Sequence, residues 1–232
     1  MANARPSSIR VLLVDDHQLL TDALAGLMRH TDDIEVAGVC DSLAEVRDAL
    51  RDPGAEPIDV ALMDYLLPDG TGAEATREVK RTWPSAKVVM LTAVADDKTL
   101  LDAVEAGADG YLTKDRAGTD VVNAVRAAHA GEILLPHAVA VELAHGANTA
   151  RRESEARIDI HDLTPRELEV LQALVEGRSS RDICAEMYIA PNTLRTHVQN
   201  LLSKLRVHSK LEAVAYALRQ QIVDLPGNGA YN

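Results

Sequence analysis

Five short apolar runs, each followed by an amphipathic stretch, fill the first 130 residues, and this alternation constrains the fold more than any other feature of the chain. The runs are IRVLLV at 9–14, IEVAGV at 34–39, DVALM at 59–63, AKVVML at 86–91 and DGYL at 109–112. They are rich in β-branched residues and read as strands. Helical periodicity falls near 17–29, 42–51, 72–83, 96–106 and 118–130. Repeated strand–helix units connect with right-handed crossovers. The expected product is an α/β, flavodoxin-like, doubly wound parallel five-stranded sheet whose ligands gather beyond the carboxyl ends of its strands.

With 232 residues the chain is long enough for a second domain. The strand pattern stops near residue 130. Residues 131–160 hold one short helical stretch around Ala138–Ala144 and then GANTARRESEARID, polar and aperiodic, which reads as a linker. From Leu163 the punctuation is helical. Thr164-Pro165-Arg166-Glu167 reads as N-cap, proline at the first helical position and reciprocal glutamate, with Leu163 and Leu168 as a staple and Gly177 as the stop. Ser179 and Asp182 open a second helix, Ala190-Pro191 a third with Leu194, Val198, Leu201 and Leu205 at helical spacing, and Ser209 and Glu212 a fourth that carries Leu211, Val214, Ala215, Leu218 and Ile222. The expected domains are therefore 1–130, a linker at 131–160, an all-α four-helix domain at 161–225 and a tail at 226–232.

A net charge of −12 argues on its face against nucleic acid, but it is unevenly spread. Residues 1–130 carry 13 Lys/Arg against 23 Asp/Glu, whereas 161–232 carry 8 of each, and 191–210 hold Arg195, Lys204, Arg206 and Lys210 with no acid. Cys40 and Cys184 stand apart and in no metal-binding spacing, so both are expected as free thiols of a cytoplasmic protein. The apolar run in MANARPSSIRVLLVDD is too short for a signal sequence or a membrane span, so no membrane association is expected.

On the expected sheet, Asp15 and Asp16 follow the first strand, Asp64 the third, Thr92 the fourth and Lys114 the fifth, so all five reach one rim. Three converging carboxylates repel one another unless a cation or a proton sits among them, and an oxygen-only set suits Mg²⁺. A carboxylate in such a site can attack a phosphoryl donor. Asp64 is central and is followed by the tight turn LLPDGTG, so it is the expected nucleophile. Lys114 would place positive charge on the phosphoryl oxygens, and the Thr92 hydroxyl would donate to one of them.

The strings LLVDDH, MDYLLPDGTG, LTA and GYLTKD resemble the receiver domain of two-component response regulators over residues 9–130. The resemblance implies Mg²⁺ on Asp15, Asp16 and Asp64, phosphate accepted on Asp64 from a sensor histidine kinase, and a switch in which Tyr111 turns inward as Thr92 moves to the phosphate. Many receivers carry a polar side chain two residues after the acceptor, where this chain has Leu66, and Val94 stands two after Thr92. Slow loss of phosphate is expected.

In the third C-terminal helix the apolar stripe leaves Arg195, Thr196, Gln199 and Asn200 facing outward, a surface that fits a recognition helix. Arginine reads guanine and Gln or Asn reads adenine in the major groove, while Thr193 and Lys204 are placed for phosphates. The run from LTPRELEVL to SKLEAVAYA resembles the LuxR-type helix-turn-helix and, with the receiver, points to the NarL/FixJ subfamily. That resemblance implies base contacts by Arg195, Thr196 and Gln199. It also implies a homodimer on two-fold related half-sites of double-stranded DNA, formed through the fourth helix with Leu211, Val214, Ala215 and Leu218. Ala190 replaces the usual serine N-cap, and Gln199 stands where a basic residue is common.

The expected function is thus a phosphorylation-dependent transcriptional regulator whose only chemistry is on itself. The alternative keeps DNA binding and treats the receiver as a phosphorylation-independent dimerisation module. A stand-alone aspartyl phosphatase is disfavoured, because Asp64 is followed by Tyr65-Leu66 rather than by the DxDx[TV] pattern of that class.

Overall fold

The computed structural model describes residues 8–93, 97–114, 118–136, 139–141 and 163–223. The chain divides into two compact units, 1–131 and 132–232. Of the expected helix around Ala138–Ala144, residues 139–141 are helical, with Val139 and Ala140 buried; its other residues, most of the linker and the tail lie outside the described residues, as does Val94.

The first unit runs β1 (Ile9–Val14), α1 (Gln18–Arg29), β2 (Ile34–Cys40), α2 (Leu43–Arg51), β3 (Val60–Asp64), β4 (Leu66–Leu67), β5 (Gly70–Thr71), α3 (Gly72–Thr82), β6 (Lys87–Thr92), α4 (Asp97–Glu105), β7 (Gly110–Thr113) and α5 (Gly118–His129). Five strands pair in parallel in the order β2-β1-β3-β6-β7. The inner strands β1, β3 and β6 are buried almost throughout because helices cover both faces, whereas the edge strand β2 alternates buried and exposed positions. From β1 the chain passes first to β2 on one side and then to β3 on the other. A crevice therefore opens at the carboxyl ends of β1 and β3, where helices leave in opposite directions.

Four strands, β2, β3, β6 and β7, run one residue further than their apolar runs suggest. Asp64 and Thr92 are the last residues of β3 and β6 rather than the first of the loops. At the other end of β3, Asp59 falls outside the strand, where its carboxylate accepts the Arg10 amide at 2.9 Å. The hairpin of β4 and β5 is too short to have any periodicity in the sequence. It brings Asp69 back over α2, where the carboxylate accepts the Leu43 and Ala44 amides at 2.7 and 2.8 Å and caps that helix from a distance.

The second unit contains α6 (Pro165–Val175), α7 (Ser180–Glu186), α8 (Pro191–Leu205) and α9 (Lys210–Arg219). Helix α6 begins with the full Thr164–Glu167 capping box, and Gly177 beyond its end has φ 71°. Ser179 and Ser209 cap α7 and α9. Helix α8 has proline in its first turn and no side-chain cap at Ala190. Ala190→Ser should supply that acceptor and raise the unfolding free energy of this unit by about 0.5–1 kcal/mol, read by chemical denaturation. A loss of stability would contradict the capping geometry.

Leu194, Val198, Leu201 and Leu205 of α8 are buried with Val170, Leu171 and Leu174 of α6 and Ile183 of α7. Leu211, Val214, Ala215 and Leu218 of α9 are also buried, none more than 2% exposed, and α9 packs on α6 and α8. The expectation that these four side chains make a dimer contact is therefore corrected. An apolar stripe is first used to close the small bundle, and residues spent there cannot face a second protomer. Ile222 lies past the end of α9, its amide bonded to Ala217 O at 2.9 Å around the left-handed Gln221.

Candidate functional site

Asp15, the first residue after β1, and Asp64, the last of β3, meet at the crevice between the two strands, and each is 4% exposed. Together with Asp16 and His17 they offer four ligand atoms all within 4.8 Å of one another. Lys114, at the end of β7, reaches across with Nζ 2.7 Å from Asp64 Oδ2 and 2.7 Å from Asp15 Oδ2. The contact to Asp64 is a hydrogen bond, while Asp15 Oδ2 is a buried acceptor that receives no aligned donor, so Lys114 serves it as a charge only.

The electrostatics follow from this burial. Desolvation pushes the Asp64 carboxyl above the usual carboxylate range; the Lys114 hydrogen bond pulls it back, and the Asp15 charge pushes it further up. For Lys114, burial alone would lower the ammonium's pKa, but the close carboxylates of Asp15 and Asp64 outweigh it and raise the value. The pocket is thus short of positive charge, with one ammonium against three carboxylates. An oxygen donor set with a buried acceptor lacking a hydrogen-bond donor fits a hard divalent cation such as Mg²⁺.

Thr92 is buried at the end of β6, one position past Leu91, the register partner of Asp64. The Lys114 amide donates to the Thr92 carbonyl at 2.8 Å, which ties the two ends together. Tyr111 is fully buried in β7 and its hydroxyl lies 3.1 Å from Thr99 Oγ1 on α4, so the aromatic occupies its inward position. All five rim residues expected from the sequence therefore lie at the same end of the sheet.

Two neighbours were not foreseen. His17 Nδ1 lies 2.7 Å from Asp16 Oδ1 and 3.0 Å from Asp15 Oδ1, and its amide donates to Asp15 Oδ1 at 2.9 Å. The string DDH was the available signal, but a histidine at a helix start has many ordinary uses. Tyr65 is the other: its hydroxyl donates to Asp102 Oδ2 at 2.8 Å, a pairing that no local pattern announces. Cys40, at the end of β2, is chemically quiet, because burial with the charges of Glu45 and Asp41 pushes its thiol up to about 11.

In the second unit, Thr193, Arg195, Thr196, Gln199 and Asn200 are exposed along one side of α8, opposite the buried leucine stripe. Arg166 on α6 donates to the Met187 carbonyl at 2.5 Å and pins the turn that leads into this helix. Lys204 does not stand with the exposed group. Its Nζ lies 2.7 Å from Oε2 of Glu167, the capping-box carboxylate, which is only 2% exposed. Lys204, expected on phosphate, is thus paired here with a buried carboxylate, which needs a cation beside it. The Glu167 carboxyl, although burial acts to raise it, is held below its usual value by Lys204 and by Thr164.

Among the described residues no helix is long and apolar enough to cross a membrane. The response regulator receiver domain family matches residues 11–126, and the luxR family of bacterial regulatory proteins matches residues 161–217. The response regulator protein VraR of Staphylococcus epidermidis is 35% identical over 217 residues, which cover 93% of this chain and 99% of the relative. A LuxR-family two-component response regulator from Aurantimonas sp. SI85-9A1 is 29% identical and superposes with a TM-score of 0.54, covering 60% of this chain and 98% of that one. The RcsB response regulator of Salmonella typhimurium, at 21% identity and a TM-score of 0.53, covers 94% of this chain and 100% of its own and shares the fold.

Proposed function

Because this chain belongs to the response regulators of two-component systems, DNA-binding regulators of transcription under the control of phosphorylation, we propose that Asp64 is the residue that carries the phosphoryl group. The observation that carries this reading is the placement of Asp64, buried at the switch crevice between Asp15 and the ammonium of Lys114. Asp15, Asp16 and Asp64 are the residues that would hold Mg²⁺, which when bound screens the carboxylates and the phosphoryl oxygens from one another. An Asp64 carboxylate oxygen attacks phosphorus, forming an oxygen–phosphorus bond as the bond to the donor breaks. The departing electron pair stays on the donor, a phosphohistidine of a sensor kinase. Lys114 presents positive charge to the transferred group and the Thr92 hydroxyl donates to one of its oxygens.

Tyr111 already lies inward, so phosphorylation on this reading stabilises an arrangement that exists beforehand, a shift of population rather than a new fold. The receiver spans 1–130, a linker 131–160, the DNA-binding domain 161–225 and a tail 226–232. The protein works in the cytoplasm. Arg195, Thr196, Gln199 and Asn200 read base edges and Thr193 contacts phosphate, with two protomers on two-fold related half-sites.

The test is DNA affinity with and without Mg²⁺ and beryllofluoride, a phosphoryl mimic. The expected result is tighter binding with both present, at least about fivefold, the lower end of usual allosteric coupling. An unchanged affinity would favour a receiver that dimerises independently of phosphorylation.

The rim also bears on the lifetime of the phosphorylated form. Leu66 is 68% exposed beside Asp64 and offers no polar atom to align a hydrolytic water. Leu66→Asn should speed the loss of phosphate from the protein by roughly tenfold, by positioning that water. Decay of the phosphorylated protein in Mg²⁺ buffer measures it, and equal rates in the two proteins would sink the idea.

A further inference from the structure

Tyr65 directly follows Asp64, and its buried hydroxyl donates to Asp102 on α4. A buried tyrosine needs a polar partner at the far end of a long, stiff side chain, and here the partner belongs to a different helix. The foot of this strut is held on two sides. The Tyr65 amide donates to Leu91 O at 3.1 Å, and its carbonyl accepts from the Gly72 amide at 2.8 Å. On the same helix Thr99 meets the hydroxyl of Tyr111. Thr99 and Asp102 are three residues apart and so share one face of α4. That face is bonded to two tyrosines, one rising from the end of β3 and one from β7. Helix α4 also buries Leu100, Ala103 and Val104, but apolar packing has no direction and tolerates sliding. The two hydroxyl bonds, by contrast, have direction.

We infer that Tyr65 is a positioning residue: it straps α4 to the strand that ends in Asp64, and it passes a change of charge at Asp64 to α4 by a route separate from Thr92 and Tyr111. The second half of this statement rests on Asp64 being the phosphoryl acceptor; the strap itself does not.

Hydrogen exchange on the full chain tests both halves. Tyr65→Phe keeps the ring and its packing and removes only the hydroxyl. The amides of α4 are expected to exchange about tenfold faster than in the wild type, the effect of losing one hydrogen bond to a charged group, while α1 and α2 keep their rates. Asp102→Ala should reproduce the effect, and the double variant should add little to either single one. Rates in α4 within twofold of the wild type, or a uniform rise across the whole receiver, would overturn the strap.

With Mg²⁺ and beryllofluoride, whose binding is followed by fluorine NMR, the wild-type α4 is expected to change its exchange rates, and Tyr65→Phe to lose at least half of that change. A full response in Tyr65→Phe, or no response in wild-type α4 despite bound beryllofluoride, overturns the separate route. Failure of the wild type to bind beryllofluoride at all would instead sink the reading of Asp64, and the rates without it would still decide the strap.

Discussion

Asp64→Asn is expected to abolish phosphorylation by a small-molecule donor such as acetyl phosphate or phosphoramidate, a loss on the order of a thousandfold or more, typical of removing the nucleophile itself. Asparagine has nearly the same shape, so the pocket should survive while the attacking oxygen's charge is gone. Radiolabel from a phosphoryl donor, or the mass of the intact protein, measures the outcome. Undiminished labelling would move the acceptor to another residue and overturn the proposed chemistry.

The same substitution has a second readout, in stability. The Asp64 carboxyl is raised above its ordinary value in the folded protein, mainly by burial. A raised carboxyl pKa means that the folded state holds its proton more tightly than the unfolded one. Below the ordinary carboxylate range, about 4, the group imposes no penalty; as pH climbs through the raised folded value the penalty grows and then stays. Asp64→Asn should therefore melt higher than the wild type at neutral pH without Mg²⁺, with the gap closing in acid. Added Mg²⁺ should stabilise the wild type more than the variant, because the variant lacks one of the three carboxylates. A variant less stable than the wild type at neutral pH would mean that the Lys114 contact outweighs the burial of the charge.

The other large effect is expected at Gly72→Ala. Gly72 is the first residue of α3 and lies directly against the end of β3, its amide donating to Tyr65 O at 2.8 Å. A Cβ there would land on the Asp64 carbonyl oxygen, 2.9 Å from the carbonyl carbon and 3.0 Å from Tyr65 Cα. Backbone cannot rotate away as a flexible side chain can, so either the start of α3 or the Asp64–Tyr65 segment must shift. Overpacking of this kind costs about 1–3 kcal/mol and should lower the melting temperature of the receiver by roughly 5–10 °C. It should also slow phosphorylation, since the displaced backbone is that of the acceptor. Calorimetry and the labelling assay read the two effects. A variant with wild-type melting and labelling would show that the β3–α3 junction gives way more easily than its packing implies.

Much of this protein could be read along the chain, and the reason is that the relevant interactions are local. The strands announce themselves because β-branched runs suit a pleated backbone. The helix starts announce themselves because Thr164 and Glu167, or Ser209 and the Glu212 amide, reach each other across three residues. Even the rim was readable, since in a doubly wound sheet the residues at strand ends share one edge: Asp15, Asp64, Thr92 and Lys114 needed only the topology to be brought together.

Tertiary structure decided what depends on the orientation and register of separate elements. Lys204 and Glu167 are 37 residues apart, and only the packing of α8 on α6 shows that the lysine is committed to a buried carboxylate. The stripe of Leu211, Val214, Ala215 and Leu218 has the same periodicity whether it faces its own bundle or a second protomer, and only the burial seen in α9 assigns it to the bundle. Tyr65 and Asp102, also 37 residues apart, meet because α4 lies over the end of β3. A sequence carries the preference of each residue for a partner, but which partner comes within 3 Å is set by how whole elements dock, and docking is the sum of many weak, non-directional contacts that no single stretch of sequence contains.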